Sequence, residues 1–292
     1  MPNDDHLERV KHIAKAGFRY VDLSFYNIDK DISPFISDNW KNYVRQLIDL
    51  GNELGIEYVQ AHLPNCNPLD EEKFEDYCKL NIRSIEVCGM LGIKNAVIHV
   101  GWKDGITKEQ FFKLNFEALK PLFPAMEKNN VNLLIENSTK ANMQEKYYFF
   151  TGRDMKEFID YAGHPLIKAC WDTGHANIEG HQYEDITALG DDLYAIHVHD
   201  NNGMADQHQA PFSGTLNMDE VITALIDIGY KGYFTFEADC AVSFGKTWLL
   251  TRHTFDKDTR LFNPNMEIYD AMEHFLFDLG KACLKTYGIY ED

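Results

Sequence analysis

The sequence predicts a barrel of parallel strands sheathed in helices, the (β/α)8 or TIM-barrel class. Three observations carry that expectation. A short apolar run, a polar loop and a stretch of helical period alternate along the chain. The apolar runs are hydrophobic on both faces, which suits parallel strands covered by helices on both sides. Carboxylate and imidazole side chains recur where those runs end, and in a barrel the strand ends converge on one face.

The strand candidates are FRYVDLSF (18–25), IEYVQAH (56–62), NAVIHV (95–100), VNLLIE (131–136), IKACWD (167–172), LYAIHVH (193–199) and YFTFE (233–237). Amphipathic helices are expected at 4–16, 40–54, 74–91, 108–128, 154–161 and 218–228. A last helix places Ile268, Met272, Phe275, Leu276, Leu279 and Cys283 on one stripe, at spacings of three and four. Strand–helix alternation implies right-handed crossovers and a parallel sheet. The count is seven strands where a closed barrel has eight, and the chain opens on a helix. The expectation is therefore a barrel lacking a regular first strand, with its seam between the strands at 18–25 and 233–237. Unpaired edges need cover, from the N-terminal residues, the 238–264 stretch or a second copy of the chain. No linker-like segment divides the sequence, so residues 1–292 are expected to form one domain.

A chain of 292 residues, 45% hydrophobic, can bury a large core without staples. Lys and Arg number 28 against 46 Asp and Glu, a net charge of −18. That balance disfavours a nucleic-acid partner, because phosphate binding is driven by clustered Lys and Arg. Six cysteines, at 66, 78, 88, 170, 240 and 283, form no C-x-x-C pair, and the N-terminus carries no signal-peptide pattern. No apolar run approaches the length of a membrane span. A reducing cytoplasm is the expected compartment.

Glu136 ends the fourth strand, Asp172 the fifth and Glu237 the seventh, and His197 lies near the end of the sixth. His62 ends the second strand and His99 lies near the end of the third. Three carboxylates at one barrel mouth would repel one another and raise their own pKa values. A divalent cation removes that penalty and takes oxygen and imidazole ligands together. Glu136, Asp172, His197 and Glu237 are therefore the expected metal ligands. In CWDTGHANIEG, His175 follows Asp172 by three, and Gly174 allows a tight turn between them. HVHDNNGMADQH adds Asp206 and His208, spaced so that both could face one ion. His199 shares a strand face with His197 and is expected to reach only the substrate. His6, His12, His164, His181, His253 and His274 read as structural or surface residues. The sequence contains no Walker-type phosphate loop, dinucleotide fingerprint or nucleophile elbow.

The segments LLIENS, CWDTGHANIEG, IHVHDN, DQH and FTFEAD resemble the xylose-isomerase-like barrel superfamily, over about residues 5–285. That group includes sugar isomerases, ketose 3-epimerases, inosose dehydratases and endonucleases of the endonuclease IV type. By resemblance to the sugar enzymes, Glu136, Asp172, His197 and Glu237 would hold one ion, commonly manganese, with zinc or magnesium also suited. Glu136 and Glu237 would act as the acid/base pair on opposite faces of the sugar. His175 would contact substrate, and His62, His99 and His208 are candidate contacts beside it. By resemblance to the endonuclease branch, His62, His99, His175, Asp206 and His208 would hold additional zinc ions. Two features depart from the pattern. The superfamily usually opens with a short strand before its first helix. Ketose 3-epimerases usually carry an Arg shortly after the metal His, where this chain has Gly203 and Met204.

The expected function is isomerisation or epimerisation of a sugar or related polyol through an enediolate. The metal would polarise a carbonyl, one glutamate would remove a proton and the other would return it. Metal-assisted hydrolysis of abasic DNA competes with this, as does dehydratase or lyase chemistry from the same enediolate. A non-catalytic barrel that binds a sugar or a partner subunit would leave two metal-bound glutamates without a role. Phe244, Trp248, Leu249, Leu250 and Phe255 in the 238–264 stretch are expected to help cover the metal site or a partner's site.

Overall fold

The computed structural model describes residues 5–26, 28–29, 33–238 and 266–291. The expectations placed on Cys240, His253 and the 238–264 aromatics lie outside the described residues. The elements run α1 (His6–Ala16), β1 (Tyr20–Ser24), α2 (Trp40–Leu54), β2 (Glu57–His62), α3 (Phe74–Leu91), β3 (Asn95–Ile98), α4 (Lys108–Leu119), α5 (Phe123–Asn129) and β4 (Asn132–Glu136). They continue with α6 (Gly152–Ala162), β5 (Ile167–Asp172), α7 (Thr173–Glu179), α8 (Gln182–Leu189), β6 (Leu193–Val198), α9 (Met218–Asp227), β7 (Phe234–Phe236) and α10 (Met266–Thr286).

The seven strands are parallel and bonded in chain order, β1 through β7. They curl into a nearly closed barrel with the helices outside. β1 and β7 are its two edges, and among the described residues no eighth strand lies between them. Aromatic rings occupy the seam. Tyr20 of β1 meets Tyr233, just before β7, with centroids 4.6 Å apart. Phe18 lies 6.3 Å from Phe236 and 5.3 Å from Phe277 of α10. α10 comes this close because Gly280 has no Cβ; one there would sit 2.8 Å from the Phe236 ring.

Side chains of a strand alternate between its faces, and this alternation builds the interior in layers. Val97, Leu134, Cys170 and Ala195 form an apolar cluster within the barrel. Two positions further along the chain come His99, Glu136, Asp172 and His197, so the polar groups stand on the same inner face one layer higher. The strands are a little shorter than the apolar runs, which leaves His99 and Glu237 just past the ends of β3 and β7.

Three local features differ from the sequence expectation. The 108–128 helix is two helices, because Pro121 and Pro124 supply no N–H to a continuous ladder. A 3-10 turn at Lys120–Leu122 separates α4 from α5. α7 and α8 are additional, and Asp172 caps α7 by accepting from the His175 N–H at 2.6 Å. Among the described residues no helix is long and apolar enough to cross a membrane.

Above the last ladder bonds, buried polar side chains join the strand ends. Asn137 Nδ2 donates to Asp172 O at 2.9 Å, and its Oδ1 accepts from Asp172 N at 2.7 Å. Thr173 Oγ1 donates to His199 O at 2.9 Å. Asp200 accepts from the N–H groups of Asn201, Gly214 and Leu216 at 2.7, 2.8 and 2.9 Å. Removing the Asn137 amide would leave a buried donor and a buried acceptor of Asp172 unpaired. Asn137→Ala should therefore cost roughly 2–4 kcal/mol, read as a lower urea midpoint at unchanged slope. A wild-type midpoint would show that Asn137 does not hold β4 to β5.

Candidate metal centre

The upper layer converges on His197. Its Nδ1 lies 2.6 Å from Glu136 Oε1 and 2.8 Å from Glu237 Oε2. The second oxygen of Glu136 lies 3.3 Å from His62 Nε2 and 3.2 Å from His99 Nε2. Candidate ligand atoms of Glu136, Asp172, His197 and Glu237 all fall within 4.8 Å of one another, and so do those of His62, His99 and Glu136. A further group joins His175, His199, Asp206 and His208 within the same limit. Every candidate metal ligand and histidine contact singled out from the sequence is thus in one of three adjoining clusters at the barrel mouth.

The histidines are aimed. His62 Nδ1 bonds Leu63 O at 2.8 Å, His175 Nδ1 bonds Asn137 O at 3.0 Å and His208 Nδ1 bonds Glu237 O at 2.8 Å. A ring fixed through Nδ1 by a carbonyl presents its Nε2 in a set direction. In all three, Nε2 faces a carboxylate: Glu136 for His62, Asp206 for His175 and His208. His208 is held with φ at +46°, a left-handed conformation that costs energy for a residue with a Cβ. The antiparallel bridge between Asp200 and Gln209 anchors that turn.

Burial and charge compete in these groups. Burial pushes the Glu136 carboxyl up, but His197 and His99 outweigh it and hold the group well below the ordinary carboxylate range. Burial likewise opposes charge on His175, yet Asp172 and Asp206 bring the ring to about 10. His99 goes the other way: burial lowers it to about 4, so its neutral ring suits a metal ligand. The donor set is carboxylate oxygen and imidazole nitrogen, which fits manganese, zinc or magnesium. Buried His99 Nδ1 finds no hydrogen-bond partner among the described residues. Cys170 lies close to Glu136 and His197, but burial pushes its thiol far up and leaves it a poor ligand.

His199 differs from expectation. It is fully buried, and its Nε2 lies 3.0 Å from Asp172 Oδ2, so it supports a candidate ligand instead of reaching substrate. Its ring stacks on His208 at 4.0 Å with an interplanar angle of 6°. Parallel in-plane lone pairs do not converge on one point, which leaves His175, Asp206 and His208 as the third ligand group. A Cβ on Gly174 would overlap the His199 ring, so this packing requires glycine there. Asn137 and Asn142 were not singled out from the sequence. Asn142 Nδ2 donates to Asp206 Oδ2 at 2.8 Å. Loop asparagines carry no periodic signal that would have revealed them.

A family model described as a xylose isomerase-like TIM barrel matches residues 10–257. The chain belongs to that family. An uncharacterized protein of Sinorhizobium fredii is 26% identical over 267 residues, covering 79% of this chain and 81% of its own length. A protein of Citrifermentans bemidjiense named probable endonuclease 4 is 27% identical over 161 residues, 49% of this chain and 56% of the relative. A D-psicose 3-epimerase of Clostridium cellulolyticum, solved with D-tagatose, superposes with a TM-score of 0.74 at 19% identity, over 97% of this chain and 94% of that one. At that identity the likeness establishes the xylose isomerase-like fold alone.

Elemental analysis after metal loading and dialysis tests the clusters. Glu136 is shared between two of them, so Glu136→Gln should remove more bound metal than His208→Ala, which should leave the ion at His197 in place. Wild-type metal content in Glu136→Gln would overturn the assignment.

Proposed function

We propose that the protein is a divalent-metal-dependent isomerase or epimerase of a sugar or related polyol, with Glu136 and Glu237 as its acid/base pair. The observation that carries this reading over phosphodiester chemistry is the charge of the mouth. In the described loops that follow the strands, the basic side chains other than histidine are Lys73, Lys103, Lys140 and Lys146. Each stands within 4.0 Å of a carboxylate: Asp70, Glu71, Glu179 and Asp104 respectively. Glu72 and Glu145 add further negative charge to the same loops. A duplex backbone binds by releasing counterions to Lys and Arg, and this rim offers it little. A neutral polyol needs no such field.

The ion, manganese in our reading, would sit on Glu136, Asp172, His197 and Glu237. When bound there, it supplies Lewis-acid polarisation of a carbonyl and an adjacent hydroxyl, which acidifies the neighbouring C–H. The two glutamates stand at different depths. Glu136 is 1% exposed, with His62 and His99 against its second oxygen, whereas the Glu237 side chain is 34% exposed. In this reading a substrate entering from solvent would reach Glu237 first and Glu136 deeper in the site, with one glutamate acting on each side of the reacting carbon. Removal of a proton by one and return by the other then inverts a carbon or moves a carbonyl. In this reading His62, His99, His175 and His208 would contact its hydroxyl groups.

One observation favours a second reading. Three ligand groups adjoin, two of them through Glu136, as several ions clamping a phosphodiester would require. In that reading His62, His99, His175, Asp206 and His208 hold the additional ions.

The two readings separate on one sample. Metal-loaded protein is incubated in D2O with ketopentoses, ketohexoses and their phosphates, and in parallel with abasic duplex DNA. Exchange of deuterium into a ketose, lost on chelation and restored by manganese, is expected. Glu136→Gln and Glu237→Gln should each lower that exchange by about 10²–10⁴-fold. Salt-sensitive DNA cleavage without exchange into any ketose would overturn the sugar reading.

A further inference from the structure

We infer that Asp22 is the positioning residue for His197: it holds the central imidazole by Nε2, so that Nδ1 meets the ion. The inference rests on the metal centre proposed above. It starts from an asymmetry among the histidines. His62, His175 and His208 are aimed by backbone carbonyls through Nδ1 and present Nε2 to a carboxylate. His197 is the reverse. Its Nδ1 faces Glu136 and Glu237, and its Nε2 lies 3.2 Å from Asp22 Oδ2.

Asp22 comes from β1 and His197 from β6, 175 positions apart, so the bond crosses the barrel interior. Asp22 is itself held. Gln60, its register partner on β2 and 2% exposed, donates from Nε2 to the same Oδ2 at 2.5 Å. The apolar layer beneath the site comes from β3, β4, β5 and β6. On β1 and β2, Asp22 and Gln60 bring polar groups beneath His197. A carboxylate on the inner face of the YVDLS strand, with its side chain 16% exposed, is met by two buried groups, Gln60 and His197. A carboxylate on the far nitrogen of a ligating imidazole fixes the ring's orientation and strengthens it as a ligand. Glu136 and Glu237 touch the reacting region; Asp22 acts only through His197.

The test compares wild type, Asp22→Ala, Asp22→Asn, Gln60→Met and His197→Gln for manganese affinity, by electron paramagnetic resonance, and for melting temperature. His197→Gln identifies the ion held at the central cluster. Asp22→Ala should weaken that ion by about 10–100-fold and leave the ions of the other clusters at wild-type affinity. Asp22→Asn, which keeps an acceptor oxygen, should recover part of the loss, and Gln60→Met should show a smaller one. A second readout needs no metal: with 15N-labelled histidine, a slowly exchanging His197 Nε2–H should be present in metal-free wild type and absent in Asp22→Ala. If His197→Gln loses the ion while Asp22→Ala binds it within twofold of wild type, the inference falls and the metal centre stands. If Asp22→Ala loses all ions in step with its melting temperature, Asp22 is merely structural. If His197→Gln retains full metal content, the metal centre falls and takes the inference with it.

Discussion

The burial of Glu136 is the constraint on which the rest of the site depends. A carboxylate removed from water costs several kcal/mol unless it is paired and hydrogen-bonded, and Glu136 is 1% exposed. Its position is a consequence of strand geometry: two residues beyond Leu134, it must share the inner face that Leu134 occupies. The structure meets the cost by crowding imidazoles around it, with His197 on one oxygen and His62 and His99 on the other. Each of those rings then needs its own orientation fixed. A backbone carbonyl does so for His62 and the Asp22 side chain for His197. Charge at the mouth and hydrogen bonding in the loops are thus two sides of one requirement.

Much of this was legible in the sequence, for a physical reason. Strand alternation and the convergence of strand ends are properties of the fold class, so a residue's place at the end of an apolar run nearly determines its neighbours in space. Glu136, Asp172, His197 and Glu237 could be grouped that way although they lie on four strands. The seam was legible too, from a count of seven. What was not legible depends on partners brought together by loops. His199 lies one strand step from His197 and was expected to reach substrate, yet it bonds Asp172. Asn137 joins β4 to β5 through its amide, and nothing in N-S-T-K announces that. α7 and α8 arise in a stretch rich in glycine and polar residues, where a side-chain cap, not helical periodicity, starts the first of them.

Among the described residues, the seam shows two sheet edges with no strand between them. An unpaired parallel edge exposes backbone groups and invites association. Here Tyr20, Tyr233, Phe18 and Phe236 bring large rings across the gap, and α10 lies against them because Gly280 has no Cβ. Rings give area without a strand's strict spacing, so the two edges need not stand one strand width apart. Inside the barrel the same edge strand carries Asp22, whose bond to His197 ties β1 to β6 by a second route.

The way the imidazoles are held also divides the chain by its tolerance to mutation. A backbone carbonyl survives every substitution of the residue that owns it. His62 is aimed by Leu63 O and His175 by Asn137 O, and those carbonyls are not themselves removed by a substitution at 63 or 137, although the Asn137 amide still joins β4 to β5. His197 has no such insurance, because its far nitrogen meets a carboxylate that only the side chain at position 22 provides. Genetic drift can therefore rewrite much of the periphery without disturbing the outer rings, while the central one is exposed to a single codon on a distant strand.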